Sequence, residues 1–350
     1  MKKSLLALAA LTAFAGVASA QSSVTLFGIV DLSARNVKNA NAGSLKTLST
    51  NGNASSRLGF RGIEDLGGGL RAGFWLEGDI SGDVGGGQKT AATANGSTAN
   101  PMDWQRRSTV SLIGNFGEIR LGRDYTTTFN TIGAFDAWGY VGVATVANVR
   151  GFASIAGATT TVRTNNAISY FLPAMGGLYG QLQVSAAENA QGNKFMGGRL
   201  GYAAGPINTS ASYGRTKRTG TMVDDLKVMN IGASFNAGFA TFQGMFEKSD
   251  YSTSDQKLAG VSVLVPLGSG TLKASYVKTG GSIAYAAHQY GVGYVYDLSK
   301  RTSAYAQYGS VNNQGNATNG AAFTASSGGN AGMRRGETSS GYEFGMRHNF

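Results

Sequence analysis

From Ser22 onward the chain alternates between apolar and polar positions. In Val24-Thr25-Leu26-Phe27-Gly28-Ile29-Val30-Asp31-Leu32 the even positions are apolar or glycine, and Asp31 falls on the other face. Arg57-Leu58-Gly59-Phe60-Arg61 sets two arginines against Leu58 and Phe60. After the turn at Glu64-Asp65-Leu66-Gly67-Gly68-Gly69, the residues Leu70, Ala72, Phe74 and Leu76 oppose Arg71, Trp75 and Glu77. A side-chain period of two is that of a β-strand, and two such runs around a tight turn predict a hairpin. A second hairpin is predicted at Arg107 to Ile113 and Glu118 to Arg123, turning through Gly114-Asn115-Phe116-Gly117. Alternation resumes at Arg163, with turns expected near 173–177, 204–206, 237–239, 266–270 and 298–300.

The chain closes on the same pattern. Tyr342, Phe344, Met346 and Phe350 share one face with His348, while Gly341, Glu343, Gly345, Arg347 and Asn349 share the other. A chain that ends on an exposed phenylalanine makes little sense in water. It does make sense as the closing strand of a barrel with lipid outside and water inside. Long connections are expected at 80–103, 218–225, 249–256 and 310–336, and short ones lie between them, an asymmetry typical of bacterial outer-membrane barrels. Between Tyr125 and Val162 alternation lapses, yet Phe129, Phe135, Trp138, Tyr140 and Phe152 fall there. A long loop rich in aromatics is expected to pack, either into the lumen or as a surface Ω-loop. Some sixteen alternating segments follow in all, predicting an all-β, antiparallel transmembrane barrel. A soluble β-sandwich is the rival all-β reading, because periodicity does not distinguish a core from lipid.

Composition sharpens this picture. Lys2 and Lys3, the apolar run Leu5 to Ala15 and the small residues Ala18-Ser19-Ala20 form the pattern of a signal peptide over residues 1–20, leaving 21–350 as the barrel. Its removal lowers the formal charge from +11 to +9 (11 − 2). No mature apolar run approaches the ~20 residues of a membrane helix, so a membrane location requires strands. Glycine is abundant (53 residues) and proline rare (4), as suits curved strands, and there is no cysteine, which excludes disulfides and thiolate chemistry.

Candidate chemistry is electrostatic. Arg57, Arg61, Arg71 and Arg120 have the parity opposite to the lipid-facing residues, as does Arg107 near a long loop, whereas Arg123 breaks parity with Arg120. A charge facing lipid at midplane costs about 2–4 kcal/mol, so these arginines are expected inside, forming a basic ladder. Asp124 and Asp136, at the start of and within the long loop, are candidates for an opposing acidic patch. Alternatively, or in addition, the arginines pair with Glu77, Glu118 and Asp31 to stabilise the wall. With positive side chains in a narrow pore, anion preference is expected. Two histidines without cysteine make a metal site improbable, and no nucleophile elbow or phosphate loop is present, so no enzyme activity and no cofactor are expected. Basic residues spread along the strands rather than clustered do not suggest nucleic-acid binding.

Several segments together resemble a known family. They are Ser23-Val24-Thr25-Leu26-Phe27-Gly28, Ser56-Arg57-Leu58-Gly59-Phe60-Arg61-Gly62 with Glu64-Asp65-Leu66-Gly67, Phe116-Gly117 with Arg120-Leu121-Gly122-Arg123, Arg163 with Asn165-Asn166 and Tyr170, and Gly345-Met346-Arg347-His348-Asn349-Phe350. In this order the chain resembles a Gram-negative trimeric porin of the β-proteobacterial general-porin type. The resemblance implies about sixteen strands, a homotrimer in outer-membrane lipid and lipopolysaccharide, and a third loop, 125–162, folded inward as a constriction. It also implies that the C-terminal aromatic is recognised by the barrel assembly machinery. The function expected is passive diffusion of small hydrophilic solutes, anionic or neutral. A substrate-selective channel, or a plugged barrel serving as adhesin or enzyme, is the alternative.

Overall fold

In the computed structural model, described over residues 23–40, 43–87, 103–150, 159–186, 194–217, 224–282, 286–314, 325 and 336–350, alternation becomes one closed sheet. Its strands are β1 (Ser23–Asn39), β2 (Gly43–Thr50), β3 (Arg57–Gly67), β4 (Leu70–Asp79), β5 (Arg107–Gly114) and β6 (Gly117–Tyr125). After the long loop come β7 (Arg163–Phe171), β8 (Leu178–Ser185), β9 (Lys194–Ala204), β10 (Ile207–Lys217), β11 (Leu226–Asn236) and β12 (Thr241–Tyr251). The last five are β13 (Ser254–Leu267), β14 (Gly270–Gly280), β15 (Ala286–Asp297), β16 (Thr302–Gln314) and β17 (Thr338–Asn349). From β3 onward each strand pairs antiparallel with the next, and β17 returns to β1 from Ile29↔Asn349 to Asn39↔Ser339. Closure of the ring from β1 through β3 to β17 leaves none of these strands as a free edge in lipid, while β2 pairs with β1 alone among the described residues.

Seventeen described strands fill sixteen wall positions. β2 and β3 share one side of β1: Thr50 lies opposite Leu32 and Arg57 opposite Ile29. The residues between them leave the ladder and wrap the carboxylate of Asp31, which accepts from the backbone N–H groups of Gly52 (3.0 Å), Asn53 (3.0 Å) and Ala54 (2.8 Å). The Tyr305 hydroxyl also donates to Asp31. Asp31 therefore folds the wall without an arginine partner among the described residues, contrary to the expected pairing. No element is named from sequence between Leu32 and Arg57, where β2 lies.

Short turns, such as 68–69, 115–116, 205–206 and 268–269, lie at the end that holds Ser23 and Phe350. The expected long loop at 249–256 is instead a two-residue turn between β12 and β13, made possible by Ser252 at φ 53°. Similarly, Glu64 to Leu66 belong to β3 rather than to its turn. The signal peptide expected over 1–20, Phe152, and most of the loops expected at 80–103, 218–225 and 310–336 lie outside the described residues.

Directly paired residues in an antiparallel ladder point to the same face. Outward faces carry a nearly unbroken apolar coat, including Leu182 (62 % exposed), Phe344 (59 %), Ile231, Val261, Val292 and the girdle tyrosines Tyr290, Tyr296 and Tyr308. A water-soluble surface would not display this, whereas a lipid-facing one requires it. No described helix is long and apolar enough to cross a membrane. On β17 the outward set is Tyr342, Phe344, Met346 and His348, continued by Phe350, as the alternation predicted. His348 lies next to the 298–301 turn, with Nδ1 2.9 Å from Thr302 Oγ1, rather than at mid-strand. The Phe350 ring lies over Gly28, and the two residues exchange backbone hydrogen bonds of 3.1 Å.

Candidate functional site

The segment after β6 turns into the barrel. Helix α1 (Thr127–Ile132) starts at Thr126, whose hydroxyl accepts from Phe129 N–H and satisfies one otherwise orphaned donor of the first turn. Ile132, Phe135, Val146 and Val149 then pack on inward-facing Met245, Leu258, Val277 and Val311. These four wall residues break the polar pattern of the lumen face. Their burial against the loop is the hydrophobic drive that holds it in place.

Polar groups fix its course around the wall. Asn130 donates to Gln181 (2.8 Å), the Trp138 indole to Ser275 (2.8 Å), Lys273 to the Ala137 carbonyl (2.9 Å), and Gln289 to the carbonyls of Ala144 (2.7 Å) and Thr145 (2.8 Å). Arg150 pairs with Glu247 at 2.6 Å, with both side chains 3 % exposed. At the loop's tip, Val143 N–H donates to Glu343 (2.9 Å), whose other oxygen holds Ser33 and Arg35. Gly309 permits this approach, because a Cβ there would lie 2.0 Å from the Val143 carbonyl oxygen.

Asp136 is part of this internal framework rather than of an acidic patch. It accepts from Trp138 N–H, Tyr140 N–H and the Thr145 hydroxyl, and is buried within its own loop. Burial pushes its carboxyl above the usual carboxylate range. Three donors pull Asp136 inward, so it does not face the opposite wall.

The loop covers the inner side of the later strands and leaves the face of β1 to β6 open. Between them lies a cavity of about 630 Å³. On the wall side it is lined by Arg35, Arg57, Arg106 and Arg163, with Asp79 and Asp83; on the loop side by Phe129, Asn130, Gly133, Tyr140 and Gly142, among others, and by no carboxylate among the described residues. Arg106 is held by Glu77 (2.6 Å) and Asp79 (2.7 Å). Arg57 touches Glu77 only at 3.4 Å, and Arg163 meets no carboxylate among the described residues, bonding instead to the Arg106 carbonyl and Tyr125 hydroxyl. The positive charge is therefore compensated unevenly along this wall.

Of the sequence candidates, the structure brings Arg57 to this cavity. Arg61 and Arg107 lie deeper toward the short turns, stacked on Trp75. Arg71 sits one pair from the β3–β4 turn, opposite Ile113 and Asp65. Arg120 is clamped by Glu118 (2.8 Å) and Asp124 (2.6 Å), so Asp124 sits on the basic wall rather than opposite it. Arg123 occupies the register shift between Gly122 and Asp124 and bonds the Gln105 carbonyl and Asn165, which is why its parity differs. Sequence reasoning missed Arg35, Arg106 and Arg163. Arg35 does share the inward parity of Asp31, but Arg106 precedes its strand and only the fold shows where it points.

Comparison with known proteins matches this architecture. A family model described as "Gram-negative porin" matches residues 7–316. Outer membrane porin protein 32 of Delftia acidovorans is 38% identical, with 100% of both chains covered. An outer membrane porin of Bordetella pertussis is 27% identical over 89% of this chain and 94% of its own. Among solved structures, an anion-selective porin from Comamonas acidovorans superposes with a TM-score of 0.82 at 35% identity, covering 94% of this chain and 100% of its own.

Proposed function

The chain belongs to the Gram-negative porin family, and on that premise we propose that its outer-membrane channel passes small hydrophilic solutes by diffusion with a preference for anions. One observation carries the preference: the cavity wall presents Arg35, Arg57, Arg106 and Arg163 to a loop face without a carboxylate. A cation passing there meets repulsion that nothing across the gap relieves, while an anion meets guanidiniums aimed at it. The Comamonas porin with which it superposes is described as anion-selective. The 125–162 segment serves in this reading as the constriction, and Arg61, Arg71, Arg107, Arg120 and Arg123 extend the basic field along the wall. Purified protein in a planar bilayer under a salt gradient should give ohmic steps and a reversal potential of anionic sign. A cationic sign overturns the preference, and linear rather than saturable flux separates general diffusion from a substrate-selective channel.

Three further readings accompany it. Residues 1–20 act as an export signal. The closing strand, with Tyr342, Phe344, Met346 and Phe350, is the mark read by the assembly machinery while its backbone is still unpaired. The subunit works as a homotrimer among outer-membrane lipid and lipopolysaccharide; support comes from the outer faces of β1 and β5, where the aliphatic Val24, Leu26, Val110 and Leu112 stand exposed without the tyrosines of β15 and β16. A monomer by sedimentation in mild detergent would refute the trimer.

A further inference from the structure

Toward the short-turn end of the lumen, the wall of β1 and β3 to β5 contains a recess of about 430 Å³, separate from the constriction. Two inward rows of the ladder build it: Thr25, Arg61 and Trp75 in one, and Ser23, Ile63, Gly73 and Ser111 in the next. The rim carries Arg61, Arg107 and Arg120 against one carboxylate, Glu118, which Arg120 holds at 2.8 Å. The Arg61 guanidinium lies 5.1 Å from the Trp75 ring centroid and that of Arg107 lies 4.4 Å from it. Arg61 is exposed and meets no carboxylate among the described residues.

The floor is apolar. Gly73 leaves a hollow in which an added Cβ would find nothing nearer than 3.6 Å, and Ile63 and Ile113 flank it. Ile63 is 46 % exposed although its register faces the lumen. Guanidiniums alone would serve any small anion. An isoleucine held open to water on a wetted wall does nothing for chloride, and its exposure is relieved only by a partner with apolar surface. Guanidinium planes both fork onto carboxylates and stack on flat rings.

The geometry points to a transient binding station, formed by Arg61, Arg107, Trp75, Ile63, Ile113 and Gly73, for aromatic monocarboxylates. It rests on the reading of the chain as a conducting channel, since the ligand reaches the recess through the lumen. The carboxylate takes Arg61, and the ring lies over Gly73 between the isoleucines.

The test is single-channel recording on the full-length protein, with benzoate and acetate as probes added to a KCl bath. Benzoate should reduce the current at a concentration about tenfold below that for acetate, equivalent to ~1.4 kcal/mol. Ile63→Ser should bring the two blocking concentrations to within about twofold, or ~0.4 kcal/mol, and Arg61→Gln should weaken both blocks. Gly73→Leu fills the hollow without altering charge and should abolish the benzoate advantage by a second route. The ratio is read within each channel, so altered conductance of a variant does not enter it. Equal block of the wild type by both probes, or an unchanged ratio in Ile63→Ser and Gly73→Leu, overturns the station while leaving the channel intact. Absence of ohmic steps in plain KCl overturns the channel reading itself, and the station with it.

Discussion

Replacing Glu247 by leucine tests what holds the inner loop. Glu247 accepts Arg150 Nε at 2.6 Å and Asn230 Nδ2 at 3.0 Å, while Arg150 also reaches the Tyr140 hydroxyl at 3.0 Å. With both charged side chains 3 % exposed, removing one leaves a guanidinium buried without its counter-charge. Breaking a buried pair in this way costs about 3–5 kcal/mol, or roughly two to four powers of ten in an equilibrium constant. β12 keeps its ladders to β11 and β13, so the wall survives and the cost falls on loop docking. Amides of 127–150 should lose hydrogen-exchange protection, and single-channel currents should become noisy. The double variant Arg150→Met, Glu247→Leu removes both charges and should return protection and quiet current, because apolar residues of similar volume replace such pairs at little cost. Unaltered exchange in Glu247→Leu, or a double variant worse than the single, would refute the view that this pair anchors the loop.

Other perturbations follow from the same geometry. Arg57→Gln and Arg163→Gln should each lower the anion-to-cation permeability ratio by up to about tenfold, since one charge about 6 Å away in a water-like medium attracts a passing anion and repels a passing cation by ~0.7 kcal/mol each; an unchanged reversal potential would exclude them from the selectivity wall. Gly309→Ala places a Cβ 2.0 Å from the Val143 carbonyl and should displace the loop tip, raising conductance and noise, whereas Gly244→Ala, which meets nothing nearer than 4.0 Å, should behave as wild type. Deleting Phe350 removes two closing hydrogen bonds and uncovers Gly28, so the outer-membrane fraction of the protein should fall in cells; wild-type yield would contradict this.

Residue order alone made local relations legible. Period-two alternation assigned Leu58, Phe60, Phe74 and Phe344 to one face and Arg57, Arg61 and Glu343 to the other, because successive side chains of a strand cannot do otherwise. Turn chemistry placed most short connections, and the terminal aromatics pointed to a lipid-facing closing strand. What it could not supply was any relation between residues far apart in the chain. Met245, Leu258, Val277 and Val311 interrupt the polar inner face, and the reason is a loop far earlier in the chain that lies upon them. β2 and the Asp31 knot remained hidden because a carboxylate that captures backbone N–H groups leaves no periodic trace. Asp136 has the composition of a lumen acid, yet three donors of its own loop turn it inward. Parity decides which side of the wall a charge faces; only the tertiary structure decides whether a partner is waiting there, and therefore which arginines remain to act on a passing ion.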